Sequence, residues 1–275
     1  GLHCHHCGYQ EPVRGSCSAC GGTLRFTGLG TQRAEEQLEQ LFPSARILRL
    51  DLDSASRRGE YEQKLRDFRE RRYDIIVGTQ MIAKGLDFEN VTLAAVLGID
   101  QLLLMQDYRV YERVFSMVTQ LVGRSGRSRK GGTALIQTVD PDNPVLALAA
   151  RQDYDGFFRT EIAMRKACLY PPFCAMYTVG FSGEKATDVL AAAESFAAVL
   201  KRLVAAQGDV PVRLLGPSPF RVGYLAGQYR YKLTVKCRGD ARWNRLTEQA
   251  MEEFYSDSRF RGIRLSVDAF GCRDD

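Results

Sequence analysis

The sequence predicts an α/β lobe followed by an α+β domain, behind a short metal-dependent segment. Three observations carry this. Strands alternate with helices over 25–139, which implies a parallel sheet. The order over 174–275 is β-α-β-β-α-β, the split βαβ pattern. Four cysteines in two Cys-x-x-Cys pairs open the chain. The 275 residues are 45% hydrophobic and 26% charged, ordinary for about two globular domains at ~150 residues each. No apolar run approaches the ~20 residues of a bilayer span and no signal peptide leads the chain, which argues against membrane and secreted classes. Net charge is +5, and only eight of the 38 basic residues are lysine. The arginine excess suits bidentate phosphate recognition, although composition bias explains it equally well.

Residues 1–24 hold all three histidines and four of the eight cysteines, with little hydrophobic periodicity, so this segment needs a metal to fold. Cys4, Cys7, Cys17 and Cys20 form C-x2-C-x9-C-x2-C. Each pair can turn two thiolates toward one ion, and four complete a tetrahedral zinc shell with no open position, hence a structural role. Disulfides or a redox Cys-x-x-Cys fit poorly, since a redox motif needs a preceding strand and a following helix. His3, His5 and His6 could substitute, but four cysteines suffice. The chain opens inside this motif and is expected to be a fragment of something longer. Cys168, Cys174, Cys237 and Cys272 lack metal spacing and are expected to be buried free thiols. Their reduced state fits a cytoplasmic protein.

In the lobe, Thr31 can cap a helix with Glu35 and Glu36 in its first turns and Leu38, Leu41 and Phe42 on its apolar face. Strands are expected at 47–52, 74–78, 91–97 and 133–137. Tyr61, Leu65 and Phe68 mark one helix, and Tyr108, Tyr111, Val114, Phe115, Val118 and Leu121 another. Residues 140–173 read as a turn and a helical connector closed by the rigid break Tyr170-Pro171-Pro172-Phe173. In the last domain strands are expected near 175–181, 212–216, 229–237 and 263–269, helices near 184–206 and 240–256, with a Gly/Pro loop before the third strand.

Two motifs point to phosphate chemistry. Thr79, Lys84, Gly85 and Asp87 follow a parallel strand, at the edge where α/β sheets bind ligands. Taken alone this is weak. Gln120-Leu121-Val122-Gly123-Arg124-Ser125-Gly126-Arg127 is more specific. Arg124 and Arg127, each after a glycine, can point at one anion and stabilise charge on a transferring phosphoryl group, while Gly123 and Gly126 permit close backbone approach. No G-x-x-x-x-G-K-[ST] loop and no D-E-x-H motif is present, so the chain alone should not hydrolyse ATP.

These two motifs resemble motifs V and VI of superfamily-two helicases, and Gly30-Thr31-Gln32 resembles their motif IV region. With the zinc cluster before and the Tyr-Pro-Pro-Phe break after, essentially the whole chain resembles the carboxy-terminal half of the bacterial replication-restart helicases. The resemblance implies a RecA-like second lobe acting in ATP-dependent 3′-to-5′ unwinding and primosome loading at stalled forks, with magnesium and the first lobe supplied elsewhere. Arg124 and Arg127 would be arginine fingers with Gln120 nearby, Gly85 and Asp87 would couple nucleotide to DNA, and Thr79 and Lys84 would lie along the DNA backbone. Implied partners are forked DNA, single-stranded DNA-binding protein and other primosome proteins, in the bacterial cytoplasm at the nucleoid. Family members carry eight interleaved cysteines on two zincs; only the last two pairs are here, so the four close on one zinc or stay open. Ser125 stands where the family commonly has Ala.

From Arg213 to Gly239 there is no acid. Tyr229, Tyr231, Leu233, Val235 and Cys237 alternate with Arg230, Lys232, Thr234 and Lys236, giving an apolar and a cationic strand face. Arg221, Arg230, Lys232 and Lys236 are candidate DNA contacts beside the Gly223–Gly227 loop, and the tyrosines are read as core. A solvated strand face is the bland reading. Two other functions stay open: a non-catalytic nucleic-acid or protein adaptor, and another superfamily-two translocase.

Overall fold

The computed structural model describes residues 2–3, 10–11, 15–16, 30–50, 58–79, 90–105, 107–125, 132–208 and 210–269. It divides into two units, residues 24–161 and residues 162–275, the latter grouped with 1–23, where β1 (Leu2–His3) pairs antiparallel with β2 (Gln10–Glu11).

In the first unit, α1 (Thr31–Leu41) starts with Gly30, not Thr31, at the N-cap. It buries Ala34, while Leu41 and Phe42, expected on the apolar face, are exposed. Glu35 ties it to Arg49 of β3 (Ile47–Leu50) at 3.0 Å. Strand β3 pairs in parallel with β4 (Ile75–Gly78), from Ile47↔Ile75 to Leu50↔Gly78. Leu50 and Ile76 pack with Tyr61 and Leu65 of α2 (Arg58–Arg69), as the helical spacing of those two residues requires.

The entry to this strand pair is fixed by one ion pair. Arg46 donates to both carboxylate oxygens of Asp74 at 3.0 Å and to the Arg71 carbonyl at 2.8 Å, and its backbone N–H donates to Asp74 at 2.9 Å. These hydrogen bonds from the Arg46 side chain and backbone hold the Asp74 carboxyl down at about 2. A carboxylate lowered below its ordinary ~3.9 contributes stability above about pH 4 and loses it as pH falls through its folded value. An NMR titration of Asp74 should therefore show a midpoint near 2. In Arg46→Gln the midpoint should return to the ordinary range; an unmoved midpoint would reject the pairing.

A second parallel pair joins β5 (Leu93–Val96) and β6 (Thr133–Ile136). The crossover carries α3 (Ile99–Leu103) and α4 (Val110–Ser125). Val114, Phe115 and Val118 of α4 are buried as expected, whereas Tyr111 is exposed. Asp107 starts α4: its carboxylate accepts from Arg109 N–H at 3.0 Å and pairs with Arg113 at 2.6 Å. Helix α5 (Pro144–Ala150) begins with Asn143 accepting from Val145 N–H at 3.1 Å and Pro144 at its first position. Val145, Leu146 and Ala149 enter the core around Val114 and Val118, and Phe157 of α6 (Tyr154–Ala167) stacks on Phe115 at 4.2 Å. Residues 140–161 therefore belong to the lobe's packing and are not a free connector.

The second unit centres on a four-stranded antiparallel sheet. Its strands are β7 (Ala175–Gly183), β8 (Arg213–Leu225), β9 (Gln228–Cys237) and β10 (Arg264–Asp268), in the order β10-β7-β9-β8. Helices α7 (Ala186–Gln207) and α8 (Ala241–Ser256) pack on one face. Phe181, Phe196 and Phe254 meet edge to face at 5.5–6.0 Å, and Trp243 is 1% exposed beside Tyr177. Asp240 caps α8 by accepting from Arg242 and Trp243 N–H.

The Gly/Pro loop expected before β9 is absent, because β8 runs through it. Two register shifts, Leu215/Ser218 and Pro219/Tyr224, absorb the irregular residues as bulges while pairing resumes on either side. The Ala226-Gly227 turn has φ of 50° and 82°, the left-handed pair a tight hairpin requires. Of the thiols expected to be buried, Cys237 is buried and Cys174 half-buried, Cys168 is exposed, and Cys272 lies outside the described residues.

Candidate functional site

The structure places the first part of the arginine motif on the last turns of α4. Gln120 is exposed and donates to Ser116 one turn earlier at 3.1 Å. At Gly123 a methyl group would meet, among the described residues, Gln152 at 3.6 Å, an ordinary contact. The backbone of Arg124 and Ser125 completes the helix. Because β5 and β6 are adjacent and parallel, α4 returns the chain to the amino edge of β6. Thr79 is exposed immediately after β4, at the carboxyl end of the β3–β4 pair. Lys84, Gly85, Asp87, Gly126 and Arg127 lie outside the described residues, as do Cys4, Cys7, Cys17 and Cys20.

In the second unit the apolar strand face holds as far as Leu233, Val235 and Cys237, all buried. On the opposite face Arg230 and Lys232 flank one aromatic ring: the guanidinium carbon stands 4.4 Å and the ammonium 5.4 Å from the Phe220 centroid. Phe220 is itself laid over the sheet at Gly180, where a methyl group would meet Ser266 at 2.7 Å and Phe220 at 3.2 Å. Stacking on Phe220 helps to orient both cations on this face. Arg221 is exposed in the bulge.

Lys236 is set apart from the other three candidate DNA contacts by its burial. It is 8% exposed, donates to the Cys168 carbonyl at 2.8 Å and lies 3.9 Å from the Tyr170 ring centroid. Burial lowers its pKa, with Arg213 adding to the effect and the Cys174 and Cys168 thiols opposing it. The segment around 168–170 covers this end of β9, so Lys236 is a buried cation packed against that segment. Alternation along the strand puts it on the cationic face but carries no information about what folds over that face.

The tyrosines need a correction. Tyr231 packs against the core, but Tyr229 is 38% exposed and its cross-strand partner Tyr224 is 57% exposed. Phe220 and Tyr224 were visible in the sequence only as aromatics among cations; no spacing rule assigned either a contact.

Residues 26–129 match the family described as the helicase conserved C-terminal domain, and residues 166–270 the primosomal protein N C-terminal domain. The chain is similar to the replication restart protein PriA of Bacillus subtilis, 38% identical over 268 residues, covering 97% of this chain and 33% of that protein. PriA of Chlamydia muridarum is 36% identical over 266 residues, with 95% and 35% covered. PriA of Haemophilus influenzae is 36% identical over 236 residues, with 86% and 32% covered. The chain thus spans about a third of the length of these curated relatives. A solved hydantoinase/carbamoylase family amidase from Burkholderia ambifaria aligns at a TM-score of 0.27 and 16% identity over 34% of this chain and 26% of its own, too slight a likeness to carry an argument. The parallel strand pairs with their crossover helices, all inside the helicase match except β6 just after it, fit a RecA-like lobe. Among the described residues no helix is long and apolar enough to cross a membrane.

Proposed function

Given that the chain belongs to the PriA replication restart family and matches its carboxy-terminal part, we propose that it is the second motor lobe and DNA-associated cap of an ATP-dependent 3′-to-5′ DNA helicase. That helicase recognises stalled replication forks and starts primosome assembly, in the bacterial cytoplasm at the nucleoid. The observation that carries this reading is the Gln120–Arg127 motif closing α4 within the helicase-matched stretch. Arg124 and Arg127 stabilise negative charge on the γ-phosphoryl group as it transfers, with Gln120 beside them and Gly123 and Gly126 leaving room for the backbone to approach. Gly85 and Asp87 couple that site to DNA, along which Thr79 and Lys84 lie. The 275 residues contain no P-loop and no acidic magnesium motif, so the chain alone binds DNA without hydrolysing ATP. Its partners are forked and single-stranded DNA, single-stranded DNA-binding protein and other primosome proteins.

The element order and the β10-β7-β9-β8 strand order support reading the last domain as a split βαβ unit. For the amino-terminal segment, the donor set of four thiolates fits zinc, and strands Leu2–His3 and Gln10–Glu11 pair antiparallel on either side of the first Cys-x-x-Cys. We expect about one zinc per chain by elemental analysis; less than about half would reject a closed site.

Binding should be phosphate-dominated through Arg221, Arg230 and Lys232. With about three phosphates neutralised on a single strand, affinity should fall roughly 20-fold between about 50 and 200 mM salt. Anisotropy of a labelled oligonucleotide measures this, and a salt-independent affinity would contradict the reading.

A further inference from the structure

Tyr224 and Tyr229 face each other across the last pair but one of the β8–β9 hairpin, ring centroids 4.9 Å apart and tilted by 57°. They flank the Ala226-Gly227 turn, and they are 57% and 38% exposed. Two large rings held against one another at an exposed turn are an expensive way to close a hairpin, since much of their apolar area stays in water. The surroundings say what could cover them. No acidic residue occurs between Arg213 and Gly239, and exposed Arg221 lies three residues before Tyr224, within about 11 Å of chain. Arg221 belongs to the unpaired bulge 220–223, which lies opposite Arg230 and runs directly into Tyr224. A planar, neutral partner carried on an anionic backbone matches both features.

We propose that the Tyr224–Tyr229 pair is a stacking platform for an unpaired nucleobase, with Arg221 holding the adjacent phosphate. The site takes single-stranded nucleic acid with little sequence preference, because every base has a π-face. It deepens the DNA-binding reading above and rests on it. Base stacking adds to affinity without neutralising charge, so the platform sets binding strength while the cations set its salt dependence.

The test uses the whole chain with a fluorescein-labelled single strand and with the same strand carrying abasic sites. Removing one stacked base should cost about tenfold in affinity. Tyr224→Ala with Tyr229→Ala should therefore bind the intact strand about tenfold more weakly, with an unchanged salt slope, and Tyr→Phe at both positions should restore binding. On the abasic strand, wild type and the double alanine variant should bind alike. Circular dichroism confirms that the variants fold, which their exposure favours. If the double alanine variant binds the intact strand as tightly as wild type, or loses equally on the abasic strand, the platform is rejected while DNA binding stands. If wild type fails to bind any strand, the DNA-binding reading falls and the platform with it.

Discussion

Arg127→Ala, in this chain joined to a first motor lobe, is expected to lower kcat for DNA-stimulated ATP hydrolysis about a thousandfold or more, the range of an arginine finger. That corresponds to about 4 kcal/mol of transition-state stabilisation. The argument is electrostatic. As the γ-phosphoryl group transfers, negative charge builds on its oxygens in a site sheltered from water, and a fixed guanidinium there meets it with no reorganisation. Arg124, one residue before the end of α4, is anchored by the helix, whereas Arg127 follows two residues past it. Arg127→Lys should not restore the rate, since an ammonium lacks the planar fork that matches phosphate oxygens. DNA affinity should hardly move, because the role proposed for the motif is at the nucleotide. Full ATPase in Arg127→Ala would remove the finger assignment and leave the lobe a scaffold.

Lys236→Ala should destabilise the carboxy-terminal domain by about 2–3 kcal/mol, from a lost charged hydrogen bond and a desolvated cation–π contact. It should leave the salt slope of DNA binding unchanged. The Cys168 carbonyl loses its donor at 2.8 Å and the Tyr170 ring its cation at 3.9 Å, so the segment leading into Tyr170-Pro171-Pro172-Phe173 loses its tie to β9. Part of that loss is offset, because burial already disfavours the charged lysine. Urea denaturation gives the stability change and oligonucleotide titration the slope. Lys232→Ala is the contrasting variant: it should lower the salt slope by about 0.7 with a smaller stability change. A reduced slope in Lys236→Ala would return that residue to the DNA surface.

Much of this was written in local pattern. Leu65 and Tyr61 one turn apart, the alternation of Leu233, Val235 and Cys237, and Asp240 before an amphipathic run each specify an element through interactions a few residues long. The strand-helix alternation of the lobe was legible for the same reason, as was the Gln120–Arg127 motif, because its chemistry is packed into eight consecutive residues. Boundaries that depend on distant partners are less legible. Residues 140–161 look like a connector until Val145 and Phe157 find Val114 and Phe115. The Gly216-Pro217 stretch looks like a loop until β9 pairs on either side of it.

By itself, then, the sequence determined the type and order of the elements and the family resemblance, and it singled out the arginine motif as the candidate site. All of these live in short-range spacing. Only the tertiary structure decided which cations and aromatics of the acid-free stretch meet solvent. Lys236 sits under Tyr170, Arg230 and Lys232 lie on Phe220, and Tyr224 and Tyr229 are left at an exposed turn. Burial depends on what folds over a strand from residues far away in the chain, and alternation along the strand names a face without saying whether that face is covered.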